Sequence, residues 1–466
     1  MASERAVWVV GGGLAGSEAA WQLAERGVPV ELFEMRPDVQ TGAHQSDRLA
    51  ELVCSNSLGS QLPDRASGVL MTELRTLGSL LLSVAEEVAV PAGGALAVDR
   101  VGFAETVSRR LASHPLITIH RQEVTKLPDR LSVIATGPLT SDALSQELVR
   151  VSGEDHLYFY DALSPIVEVE SIDFSQAFRG SRYGRGVREQ GDYINCPFTE
   201  PEYEAFVDAL LAADRIPLRD FETDIEDGVR AGMHEFFEGC LPVEVIASRG
   251  RQSLAFGPMR PVGLTDPRTG RRPHAVVQLR QDNLAGDLYN MVGFQTNLRF
   301  PEQRQVFRMI PGLGSASFAR YGQMHRNTFL NAPKLLSPTL RLNSDPRLLF
   351  AGQITGVEGY LGNIATGLLA GVNAAILARG GEPVKLPAET MLGALVHYVS
   401  HADPSDFQPM KANMGILPSL GPARPRNRRQ RAQAYAERSA ETLAAFLEAN
   451  SAMRIATNTS SPSLSP

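Results

Sequence analysis

The sequence predicts an α/β protein in which a Rossmann-like unit with a parallel sheet is interrupted by an inserted α/β domain. Three observations point there. Residues 6–34 read strand, glycine turn, helix, strand and acid in succession. Two later segments, LSVIATGP at 131–138 and RLLFAGQITGVEGYLGNIATGLLAGVNAA at 347–375, again lead from an apolar strand into a glycine loop. Between them, residues 164–330 mix strand and helix patterns over roughly 170 positions, the size of an independent domain.

Within the first unit, AVWVV is a short β-branched run that reads as a buried strand, and SEAAWQLAERG carries apolar residues at helical spacing up to Gly27. GGGLAG (Gly11, Gly12, Gly13, Leu14, Ala15, Gly16) joins them. Gly11 permits the tight turn, Gly13 lets backbone approach a pyrophosphate, and Gly16 lets the helix lie close to the strand. The helix amino terminus, with unpaired N–H groups and a positive dipole end, then receives the phosphates. VPVELFE is the second strand and ends on Glu34, placed to accept hydrogen bonds from a ribose. These pieces in register predict dinucleotide binding.

The later segments select FAD over NAD. Thr136 and Gly137 end a strand as the second nucleotide-facing loop of a two-dinucleotide, glutathione-reductase-type flavoprotein does. Gly352, Gln353, Gly359, Tyr360 and Thr366 belong to a carboxy-terminal closure whose helix, starting near Gly362 or Asn363, can stabilise negative charge on a reduced flavin. The expected division is therefore 1–163 and 331–447 for one discontinuous FAD domain, 164–330 for the insertion, and 448–466 for a polar, disordered tail.

Bulk composition bounds the rest. With 466 residues and 43% hydrophobic content, the chain can bury a large core. A formal net charge of −7 does not advertise a nucleic-acid binder. Three cysteines and nine histidines without ligand spacing argue against disulfides and metal. MASERAVWVV lacks an export pattern, and no apolar stretch is read as reaching the ~20 residues of a membrane span. A soluble, cytoplasmic protein is expected.

GGGLAGSEAAWQLAERG, FEMRP, LVCSNSLGS, FFEGCLPVE, AVVQLRQDN, MHRNTF and AGQITGVEGYLGNIATGLLAG together resemble the folate- and FAD-dependent tRNA (uracil-5-)-methyltransferase family, TrmFO. The resemblance runs from about residue 6 to about residue 447. It implies FAD as cofactor, with Arg36 of FEMRP among the cofactor-binding residues. 5,10-Methylenetetrahydrofolate is implied as one-carbon donor, NAD(P)H as reductant, and the T-loop uracil of tRNA as acceptor. It also implies that Cys54 and Cys240 are the two functional cysteines. A thiolate added at carbon 6 turns the uracil into an enolate that attacks an electrophilic methylene, and cysteine suits this because it adds and leaves readily. Cys240 is expected to make that attack, and Cys54 to act beside the flavin. Cys196 has no role to inherit and reads as packing. Glu238 and Glu244 flank Cys240 but would raise a thiol pKa rather than lower it.

A polyanionic substrate calls for local positive charge. Arginines cluster at Arg179, Arg182, Arg185 and Arg188, at Arg268, Arg271 and Arg272, and at Arg424, Arg426, Arg428, Arg429 and Arg431. Three other readings stay open: an MnmG-like enzyme acting on the wobble uridine, an NAD(P)H-dependent flavin oxidoreductase without methyl transfer, and a ribosomal RNA uracil as substrate. Length and the FEGC segment count against the first.

Overall fold

The computed structural model describes residues 6–152, 157–216, 231–236, 241–422, 424–450 and 453. Five parallel strands form the first sheet, in the order Leu348–Phe350, Ser132–Ile134, Val7–Val10, Val30–Glu34, Ile117–Arg121. LLF, SVI and VWVV are near-continuously apolar, as a sheet covered on both faces requires, while the edge strand Ile117–Arg121 is more polar. Four of these strands come from the amino-terminal part and one from the carboxy-terminal part, so the two ends of the chain share a sheet.

The helix Leu14–Glu25 packs along the helix Tyr360–Ala378. Glycines set how closely: a Cβ on Gly367 would lie 2.2 Å from the Ala15 carbonyl oxygen, and one on Gly371 would lie 2.6 Å from that of Ala19. Contrary to the sequence reading, Tyr360–Ala378 is long and apolar enough, by length and composition, to cross a bilayer. Its most apolar stretch is instead 89% buried inside the protein, which accounts for the composition without a membrane.

The residues between 164 and 330 form a six-stranded antiparallel sheet, ordered Phe178–Gly180, Tyr193–Phe198, Ala275–Gln281, Leu288–Met291, Ile166–Glu168, Phe318–Arg320. A three-stranded sheet of Ala231–Phe236, Leu157–Ala162 and Met324–Phe329 lies where the chain passes between the two regions. A fourth sheet joins Ser57–Ser60, Ala95–Val98 and Ala89–Val90. Two large apolar cores result. One draws on Val7 to Leu148 and again on Phe329 to Met453; the other runs from Val167 to Ala316.

The carboxy-terminal end is ordered further than its polarity suggests. The helix Arg428–Ala449 passes the expected boundary at 448, and Met453 is 1% exposed, with its carbonyl accepting from Arg26 Nη2 at 2.6 Å. One apolar side chain and one buried guanidinium anchor what composition alone marks as tail.

Candidate functional site

Three loops at the carboxyl ends of the parallel strands line a cleft of about 980 Å³, part of it open to solvent. The first is the glycine turn. Gly11 has φ 103°, and a Cβ there would lie 2.5 Å from the Ala135 carbonyl oxygen; one on Gly16 would lie 1.8 Å from the Gly11 oxygen. Gly13, by contrast, has nothing within 4 Å of its absent Cβ, so its backbone lies open to the cleft. Gly12, Leu14 and Ala15 complete this wall. Thr136 and Gly137 supply the second loop, and Gly352, Gln353 and Tyr360 the third.

Two helices begin here, at Leu14 and Tyr360. Neither has a side-chain cap or an acid in its first turn. Their first N–H groups and positive dipole ends are left for a ligand, the arrangement that suits a pyrophosphate or a reduced ring system. Asn363, read from the sequence only as a possible helix start, also lines the cleft, and its buried Oδ1 has no hydrogen-bond partner. Open backbone, uncapped helices and an orphaned amide oxygen fit an extended dinucleotide of the FAD class.

Glu34 lines the cleft, but its carboxylate is already engaged. It accepts from Gly12 N at 3.0 Å and from Arg36 N, Nε and Nη2 at 3.0, 2.9 and 3.1 Å. Four donors are about what a carboxylate can accept, so a ribose hydroxyl would have to displace or share one of them. Burial pushes the Glu34 carboxyl up, yet Arg36 overrides it and holds it below the usual range. Arg36 also lines the cleft and is itself tied to Glu51 and to the Ser46 and Arg48 carbonyls.

Three predicted residues stand behind the wall. Gly16 packs strand to helix, Gly359 (φ 84°) precedes the helix at Tyr360, and Thr366 is buried with its hydroxyl accepting from Gly352 N and donating to Gly362 O. Each shapes the cleft without facing it. His44, Gln122 and Val124 do line it, and no motif marks them.

Cys54 follows Val53, the last cleft residue of its segment, and lies where both regions of the chain meet. Its N–H and that of Ser55 donate to the Tyr360 hydroxyl oxygen at 2.8 and 3.1 Å. Burial, reinforced by Cys54, raises the Tyr360 phenol above its usual range. Arg320 Nη2 donates to the Cys54 carbonyl at 3.2 Å, and Arg280 Nε reaches Asn56 Oδ1 at 2.9 Å. Arg100 is paired with Asp282 at 2.9 Å. Among the described residues no carboxylate pairs with Arg280 or Arg320. Burial lowers both, Arg320 to about 10. Among the described residues positive charge therefore exceeds negative around Cys54, and two of the three guanidiniums come from the inserted sheet.

A family model described as "Glucose inhibited division protein A" matches residues 6–382. A methylenetetrahydrofolate--tRNA-(uracil-5-)-methyltransferase TrmFO of Desulforudis audaxviator is 57% identical over 442 residues, which span 95% of this chain and 98% of that relative. The TrmFO of Desulforamulus reducens is 53% identical over 447 residues, 96% of this chain and 98% of its own. This chain belongs to the TrmFO family. GidA of Aquifex aeolicus superposes with a TM-score of 0.65 at 18% identity, covering 94% of this chain and 73% of the solved one. That likeness shows the shared Rossmann-like fold with its insertion.

Of the cysteines that the TrmFO resemblance implies, Cys54 is half-buried next to the cleft residue Val53, and Cys240 falls outside the described residues, as does Glu238. Cys196 is wholly buried, and burial pushes its thiol up to about 12. Glu244 is also buried, holding Thr296 Oγ1 and Asn297 N at 2.9 and 2.6 Å, which makes it a strut. The first arginine cluster separates in space. Arg179 packs against Phe174 and Tyr289, Arg182 binds Gln278 and the Val262 carbonyl, and Arg185 and Arg188 are exposed. Arg268 is paired with Asp266, while Arg271 and Arg272 are exposed. Arg424, Arg426, Arg428 and Arg429 are exposed at the start of the helix Arg428–Ala449 and ion-pair with no described residue. Among the described residues no group of three or more His, Cys, Asp or Glu is placed to hold a metal.

Proposed function

We propose that this chain is a flavin-dependent methyltransferase. It transfers the methylene of 5,10-methylenetetrahydrofolate to carbon 5 of the T-loop uracil of tRNA and reduces it to methyl, giving 5-methyluridine. The observation that carries this reading is 57% identity to a TrmFO over 95% of the chain, together with a cleft of the FAD class whose wall includes Val53, next to Cys54. Bound FAD, recharged by NAD(P)H, supplies the two electrons.

The chain's own residues supply the rest. Backbone at Gly11–Gly13 and the helix start at Leu14 would hold the pyrophosphate, with Glu34 and Arg36 toward the ribose. Thr136, Gly137, Gly352, Gln353 and the helix start at Tyr360 would face the remainder. Cys240 attacks carbon 6 of the uracil, and Cys54 acts beside the flavin on the one-carbon unit. The Tyr360 hydroxyl orients the Cys54 backbone, and Arg100, Arg280 and Arg320 favour negative charge on its sulfur. Such an enzyme works in the cytoplasm, where tRNA is.

The arginines at 424–429 would contact tRNA phosphates. They crowd the positive end of a helix dipole, an arrangement that a polyanion relieves.

The test mixes the holoenzyme with methylenetetrahydrofolate, NADPH and an unmodified tRNA transcript, then measures 5-methyluridine in the T-loop. NADPH oxidation without product would replace this reading with a flavin oxidoreductase. Modified wobble uridine would replace it with an MnmG-like activity, and methylation of a ribosomal RNA fragment alone would change the substrate. Reversing Arg426, Arg428 and Arg429 to Glu should raise KM for tRNA by roughly ten-fold or more, with flavin content unchanged. An unaltered KM removes that surface from the proposal.

A further inference from the structure

Tyr183 adopts φ 58° and ψ 25°, the left-handed region that an aromatic residue seldom occupies. Strain of this kind persists only where the surroundings enforce it. The usual compensation for a tyrosine is burial, yet Tyr183 is 65% exposed.

The surroundings do enforce it. The Tyr183 N–H donates to the Gly263 carbonyl at 2.8 Å, and the ring lies against Gly263, where a Cβ would come within 3.0 Å of three ring carbons. Arg182 is pinned to Gln278 Oε1 at 2.8 Å and to the Val262 carbonyl at 2.9 Å. The buried Asp192 carboxylate accepts the N–H groups of Val187, Arg188 and Gly93. A rigid loop thus holds one aromatic ring out to solvent, with the Arg185 guanidinium 5.7 Å from its centroid.

The mounting is shared with Cys54. Gln278, which holds Arg182, also donates to Asn195 at 2.9 Å. Two positions further on the same strand face, Arg280 reaches Asn56, two residues from Cys54. A ring and a guanidinium presented together, preorganised, match an unpaired nucleobase and its phosphate. Bases of single-stranded loops stack on aromatic and guanidinium planes, and every base has a face to offer. The exposed neighbours Arg185 and Arg188 favour such a polyanion over an apolar protein surface.

We propose that Tyr183 and Arg185 form a stacking platform for an unpaired base of the RNA substrate. This rests on the tRNA reading above. The test uses full-length holoenzyme and unmodified tRNA transcript at fixed salt, comparing Tyr183→Ala, Tyr183→Phe and Arg185→Gln, with melting temperature and flavin absorbance reporting an intact fold. Tyr183→Ala should weaken tRNA binding by roughly ten-fold or more without changing the salt slope, because a stack carries no charge. Tyr183→Phe should bind as wild type, and Arg185→Gln should reduce the slope. Tyr183→Ala binding at wild-type strength overturns the platform, as does equal loss in Tyr183→Phe, which would assign the effect to the hydroxyl. If wild type methylates tRNA in either case, the tRNA reading stands while the platform falls. Wild type that neither binds nor methylates tRNA removes both.

Discussion

Cys196 and Cys54 lie on opposite sides of one sheet. Along Ala275–Gln281, Val277 pairs with Cys196, and Val277 and Leu279 turn into the same apolar core. Gln278 and Arg280 turn the other way, and Arg280 reaches the segment that carries Cys54. Alternation along a strand therefore gives one sulfur a hydrocarbon environment and the other a cationic one. Burial pushes Cys196 up to about 12, with Arg268 the one opposing influence. Cys54 is half-buried, its backbone held by Tyr360 and Arg320, with Arg100 and Arg280 close by. A sulfur becomes reactive through charge and access together, and a sealed one stays inert.

The largest consequence concerns turnover. Cys54→Ala should lower 5-methyluridine formation by roughly 10³-fold or more, the scale on which loss of a side chain acting at the reacting centre is felt. Cys196→Ala should leave turnover near wild type and cost about 1 kcal/mol of stability, as deleting a small buried apolar group does. If both substitutions cost only stability, the contrast between the two sulfurs carries no chemistry. Iodoacetamide on the native protein, followed by peptide mass spectrometry, sharpens the same point: Cys54 should label and Cys196 should not.

A smaller effect tests the cause. Arg280→Gln removes one guanidinium from the Cys54 side and leaves the core face alone. A nearby cation is worth about one pKa unit or more to a thiolate, so alkylation of Cys54 near pH 7 should slow by about ten-fold. An unchanged rate would mean that access alone distinguishes the two cysteines.

Much of this geometry was legible in the sequence because it depends on local rules. Gly11 and Gly16 are forced by φ and by contact distance, and such constraints write themselves into residue type. The Glu34 position followed from strand length, but its engagement by Arg36 did not, because two residues apart in a turn can point anywhere. Arg280 and Arg320 were invisible as partners of Cys54. They lie over 200 positions away and arrive through sheet alternation and the docking of the insertion, which no local pattern encodes. Thr366 illustrates the converse: in this structure a motif residue near the cleft holds the loop's backbone.

The same opposition of burial and charge separates two carboxylates. Glu34 is buried but faces Arg36, and it sits below the usual range. Glu73 is fully buried with no cation among the described residues in contact; burial pushes it up to about 7, against the hydrogen bonds from Ser439 Oγ, Leu392 N and Met391 N. Those bonds join the helices Ala66–Thr76, Met391–His401 and Arg428–Ala449. The sign follows from linkage. The folded carboxyl holds its proton more tightly than the unfolded one, so its contribution is full below about pH 4.5 and is lost as pH rises through about 7. Glu73→Gln cannot titrate, and its Tm should be flatter than that of wild type across that window. Parallel curves would show that Glu73 is ionised throughout, its three donors outweighing burial without any help from a cation.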